Sequence, residues 1–169
     1  MTVQTTYSTT HQAAYAGMLV DLQLYNTTSK LNKGTAIIPY GKGVVTEDED
    51  GAQLPDGTST AAQFVGVVMY EINRAQVDPT IPGIAAAVEA GIPPDYEGTI
   101  ITFGTVWVTA AATVAKDDPA FLRVGATNNG DFSNAAGSGA TASVALTNAK
   151  FLTGGDAGDL VQLSLGLGG

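Results

Sequence analysis

The chain has 169 residues, no cysteine and a formal net charge of −9, from 16 acidic and 7 basic side chains. Disulfides and cysteine-based zinc sites are thereby excluded. The acidic balance, with no stretch of clustered Lys or Arg, argues against direct binding to nucleic acid, which needs a basic stripe to displace counterions from phosphate. No segment has the roughly 18 consecutive apolar residues of a membrane span, and the opening MTVQTTYSTTHQAAYAG lacks the basic and apolar regions of a signal peptide.

Hydrophobic residues make up 44 %, but aromatics only 7 %, alongside 21 Gly. A core of Ala, Val, Leu and Ile with many Gly turns suits short strands rather than a helical bundle. Charged residues reach only 14 %, against roughly 25 % in ordinary soluble domains. The surface is therefore largely Thr, Ser, Asn, Ala and Gly, a composition that suits life in an assembly.

Residues 1–15 are polar and without period, and they predict an extended N-terminal arm. Tyr7, His11 and Tyr15 carry its only rings and are its candidate anchors on a partner. Residues 16–169 then read as one β-domain. Met18, Val20, Leu22 and Leu24 alternate with Leu19, Asp21, Gln23 and Tyr25, the period of a strand with one buried face. Residues 26–32 read as a loop. Residues 36–38 form a short apolar run that Pro39 ends, because proline has no N–H for a ladder. Val44 and Val45 resume the extended pattern.

Residues 47–60 form an acidic loop with Gly and Pro. Calcium is its nearest chemical reading, but the Glu that an EF-hand loop carries at position 12 is missing, so a solvated loop is expected. Residues 64–71 (FVGVVMYE) predict a strand, with Gly66 at a bulge or a close backbone approach. Residues 73–95 are an irregular insertion in which 84–90 has the pattern of a short helix.

Residues 96–108 (YEGTIITFGTVWV) carry the clearest strand signal. Ile101, Phe103 and Trp107 are expected on one face and Ile100, Val106 and Val108 on the other, with Gly104 at a bend. Apolar residues on both faces predict a central strand or a subunit interface, with Phe103 and Trp107 as its core or interface residues. Residues 110–116 read as a loop, 120–124 as a strand, 128–131 as a turn and 132–141 as an outward loop. Val161, Leu163 and Leu165 alternate in a terminal strand. About seven to nine short strands without a long helix predict an all-β sandwich or small barrel.

Reactive constellations are missing. The single histidine, His11, lies in the expected arm, where nothing would orient it for a triad. No GxSxG, P-loop, GxGxxG after a strand or HExxH occurs. Asp21, Glu71 and Glu97 lie in or beside strands but show no pairing suited to glycoside hydrolysis, and Trp107 suits core or interface better than a sugar platform. No enzyme, cofactor or metal site is expected.

Six blocks in order carry a family resemblance: AGMLVD (16–21), IIPYGKGVV (37–45), FVGVVMYE (64–71), EGTIITFGTVWV (97–108), DDPAFLRVGATNNGDFS (117–133) and NAKFLTGGDAGDLVQLSL (148–165). Together they resemble the structural cement, or capsid decoration, proteins of tailed phages. Asp117-Asp118 stands where the family has Gly-Asp, and the stretch 73–94 looks expanded. The resemblance implies a non-enzymatic virion protein that binds the outer surface of the mature head between capsomers and stabilises it. Its implied partners are the major capsid protein and two further copies of itself in a homotrimer, with synthesis in the bacterial cytoplasm. Another virion component, such as a head fibre, tail or receptor-binding module, is the alternative.

Overall fold

The computed structural model describes residues 14–21, 24–71 and 91–166. The architecture is all-β, with 47 % of the described residues in strands or bridges. In chain order the strands are β1 (Asn26–Asn32), β2 (Ile38–Pro39), β3 (Gly43–Thr46), β4 (Gly51–Gln53), β5 (Phe64–Val68), β6 (Gly91–Ile92), β7 (Glu97–Thr109), β8 (Pro119–Arg123), β9 (Phe132–Ser133), β10 (Ser143–Phe151) and β11 (Leu160–Leu165). Two 3-10 turns, Ala61–Gln63 and Gly139–Thr141, interrupt them.

Nine strands form one sheet in the order β1-β4-β3-β5-β7-β11-β10-β8-β9, and β1 also pairs with β7. That second pairing closes β1, β4, β3, β5 and β7 into a small barrel, which removes free strand edges. Beyond it, β7 pairs with β11, then β10, β8 and β9 follow. Ala110, just past the end of β7, bridges back to Phe132 of β9, and the Ala111 N–H donates to the Phe132 carbonyl at 2.7 Å. A second ring is thus nearly closed, and the 13-residue β7 belongs to both.

Alternation within β3, β5 and β7 builds two cores. Val44, Val68 and Ile100 join Ile38, Tyr40, Ala52 and Ile92 inside the small barrel. Their neighbours Val45, Val67 and Ile101 face the other way, into a larger core with Leu122, Phe132, Phe151, Val161 and Leu163. Two buried faces explain why these strands read as unbroken apolar runs. Each fully buried Val, Leu, Ile or Phe contributes about 1.5–3 kcal/mol.

Several expectations are corrected. Residues 26–32, read as a loop, are β1, held in register against β7 from Asn26↔Phe103 to Leu31↔Glu97. Its side chains are mostly polar and only Asn32 is buried, so no apolar alternation marks it. The Asn32 amide donates to the carbonyls of Ala36 (2.9 Å) and Ile92 (2.8 Å), and its oxygen accepts the Gly34 N–H (2.9 Å). One polar side chain therefore ties the end of β1 to β6 with its own groups satisfied.

The expected strand from Met18 is present only in part. Leu19 bridges to Val106 and packs on the larger core, whereas Leu24, assigned to the buried face, is 60 % exposed. In β7, Ile101 shares the larger core with Val106 and Val108, not with Trp107. Gly104 has φ +122°, a conformation that L side chains rarely adopt, and it shifts the pleat by one residue so that inward positions change from odd to even. Phe132, expected in an outward loop, is fully buried in β9. The acidic stretch contains β4.

Other expectations hold. β7 is central, Pro39 ends β2, and residues 128–131 turn through Asn128 (φ 55°) and Gly130 (φ 81°). A Cβ on Gly66 would collide with the Ile101 carbonyl, which is the close backbone approach its position suggested. The helix expected over 84–90 lies outside the described residues.

Candidate interaction surface

Acidic side chains here mostly organise turns. Asp48 accepts the backbone N–H groups of Asp50 (3.1 Å) and Gly51 (2.6 Å) and lies 3.8 Å from the Lys33 ammonium. Asp56 accepts the Thr58 hydroxyl (2.8 Å), the Thr58 N–H (2.9 Å) and the Ser59 hydroxyl (3.1 Å). These bonds favour its ionised form and hold its pKa below the usual carboxylate range. Asp118 is lowered likewise by the Ala115 N–H and the Asn134 amide. Glu71 accepts the Thr99 N–H at 3.1 Å. Among the described residues no group of three or more His, Cys, Asp or Glu could hold a metal ion.

Of the candidate anchors, Tyr7 and His11 lie outside the described residues. Tyr15 is 43 % exposed and stacks on Tyr70, with centroids 5.2 Å apart and planes at 11°. The last two residues of the expected arm therefore pack on the body, since Ala14 is buried as well.

Phe103 and Trp107 are both half-buried on β7. The Phe103 ring covers Gly166, where a Cβ would stand 2.7 Å from it. Trp107 is held through its backbone: its carbonyl accepts the Gly17 N–H (2.7 Å) and its N–H donates to the Met18 carbonyl (2.8 Å). Beside Phe103, the Gly104 bend abuts Leu24 and Tyr25. Both are exposed, as is Tyr96. The sequence put Leu24 in a buried row, so this surface was missed; its signal is the break in alternation where Tyr25 meets the polar β1.

Nearby, β5, β7, β10 and β11 line a groove of about 460 Å³ with Phe64, Val65, Thr102, Leu146 and Leu165, and no charged side chain stands on its walls. Such a surface offers apolar contact and hydrogen bonding.

A double β-ring with exposed tyrosines and a groove of uncharged walls suits contact with another protein. The chain matches the family of structural cement proteins typified by E217 gp24 and Pam3 gp6 over residues 3–166, and it belongs to that family. Its role is therefore that of a phage capsid cement, or decoration, protein. No curated protein matches it significantly. Among solved structures it is similar to a chain in the capsid of Myoviridae phage XM1, at 19 % identity and TM-score 0.69, covering 99 % of both chains. A fainter likeness, at 10 % identity and TM-score 0.42, joins it to the N base of the phage phi29 head fibre gp8.5, over 84 % of this chain and 94 % of that one.

Proposed function

We propose that this protein sits on the outer surface of the mature head as a homotrimer, bound to the major capsid protein where capsomers meet, and stiffens the shell. On this reading it is made in the bacterial cytoplasm and added to the expanded lattice. The observation that carries the reading is the set of exposed apolar and aromatic side chains, Leu24, Tyr25 and Tyr96, on a chain of low charge density that belongs to the cement family. Tyrosine and leucine on a weakly charged β-surface suit burial against another protein. The net charge of −9 favours the outside of a nucleic-acid container over the inside.

Residues 1–15 act as an arm on the capsid, with Tyr7 and His11 as contacts and Tyr15, stacked on Tyr70, at its root. Phe103 and Trp107 serve the contact between copies. A symmetric trimer presents one patch to equivalent neighbours, so weak contacts combine through effective concentration. Because the composite site exists only on the assembled lattice, binding stabilises that lattice.

Heads assembled without this subunit test the proposal. They are expected to rupture at lower temperature and to regain robustness when purified protein is added, with density at capsomer junctions by electron cryomicroscopy. Heads equally robust without it would refute the stabilising role.

A further inference from the structure

Tyr15 does not merely lie on the surface. Its ring stacks face to face on Tyr70, and Tyr70 meets Tyr40 edge-on at 5.2 Å and 64°. Tyr40 is 7 % exposed and belongs to the small-barrel core, and its hydroxyl donates to the Glu71 carbonyl at 3.3 Å. Three rings thus run in a row from the core to the surface, ending at residue 15.

The backbone beside the row is equally constrained. The Met18 N–H donates to the Tyr15 carbonyl (3.1 Å), and the Tyr70 N–H donates to the Gly17 carbonyl (2.9 Å). Gly17 has φ +85°, and a Cβ there would stand 2.6 Å from the Val68 carbonyl oxygen and 2.8 Å from the Tyr70 nitrogen. Only glycine passes through this gap. Ala14 is buried at the head of the same segment. Residues 14–17 are therefore held in a fixed place on the barrel.

We infer that Tyr15 and Tyr70 form a clamp that fixes the root of residues 1–13 on the barrel, so that this segment meets a capsid subunit from a set position. The inference rests on the proposed role of that segment as an arm. A fixed root raises the effective concentration of a tethered segment at its target and reduces the ordering required on binding. Tyr15 and Tyr70 are thus positioning residues for the arm.

The chain has no cysteine, so a Thr2→Cys variant accepts a single nitroxide label. Shell binding is measured by co-sedimentation with expanded heads lacking the subunit, together with melting temperature and label mobility. Tyr15→Ala is expected to weaken binding roughly three- to ten-fold, the range for losing one aromatic pair, to leave the melting temperature nearly unchanged and to raise label mobility. Tyr15→Phe, which keeps the ring, restores wild-type behaviour. In a chain lacking residues 1–13, Tyr15→Ala is expected to have no further effect on binding.

If Tyr15→Ala weakens binding equally with and without residues 1–13, Tyr15 is a direct contact and the clamp is overturned. Unchanged label mobility in Tyr15→Ala overturns it too. If deleting residues 1–13 leaves shell binding intact, the arm itself is refuted, a separate outcome from either of these.

Discussion

The Lys42 ammonium lies 2.8 Å from a carboxylate oxygen of Asp131, with side chains 21 % and 10 % exposed. Lys42 precedes β3 of the small barrel and Asp131 precedes β9 of the second ring, so the pair links the two. The Gly43 N–H adds a bond to the Gly130 carbonyl at 2.7 Å, and the Asn129 amide adds one to the Pro55 carbonyl at 3.2 Å. Burial pushes the Asp131 pKa above its ordinary 3.8, against the opposing hydrogen bond and charge of Lys42 and the charge of Arg123.

A pH dependence follows from that shift. Between 3.8 and its raised value, Asp131 holds more proton in the folded chain than in the unfolded one. Its contribution to stability is therefore greatest at the acid end of the window and falls as pH rises through it. Urea unfolding across this range is expected to show the slope in the wild type and to lose Asp131's share of it in Asp131→Asn. An unchanged slope in the variant would assign the effect to other carboxylates. Lys42→Met, which orphans a largely buried carboxylate, is expected to cost about 3 kcal/mol at neutral pH.

Asn32→Ala is expected to destabilise the fold by about 2–3 kcal/mol, because the buried Ile92 carbonyl, the Ala36 carbonyl and the Gly34 N–H lose their partner together. The midpoint of denaturant unfolding measures it. Asn32→Asp should fare no better, since its carboxylate cannot donate to either carbonyl.

Gly104→Ala forces a Cβ into φ +122° and within 2.9 Å of the Leu24 carbonyl oxygen. A loss of about 2 kcal/mol is expected, read as a lower melting temperature. Gly57→Ala, whose Cβ meets nothing within 4 Å, is the matched control and should be nearly neutral.

Trp107→Ala separates interface from core. As a contact between copies, it should shift the sedimentation profile toward monomer while circular dichroism stays that of the folded chain. Unfolding in step with dissociation would instead make Trp107 a residue of the internal packing.

Apolar alternation made much of this fold readable. β11 announces itself through Val161, Leu163 and Leu165, all buried, and β5 and β7 through runs that are apolar because cores lie on both sides. β1 stayed hidden because its order comes from backbone pairing with β7 while its side chains, Leu31 apart, are Thr, Ser, Asn and Lys. β4 stayed hidden because Ala52 is the one apolar side chain in its three residues. The parity change at Gly104 depends on a dihedral angle that an isolated Gly does not announce. The Tyr15–Tyr70 stack joins residues far apart in the chain, which no local pattern records.

β7 passes from one ring into the other without a break in the chain. Neither ring can be prised open without disturbing the backbone ladder of its neighbour, so melting is expected to involve both at once. A lateral tug arriving at one end would travel along a single peptide rod and be shared by hydrogen bonds loaded in shear. If the subunit bridges neighbouring parts of a head, as proposed, that makes the protein a stiff rivet rather than two beads on a thread.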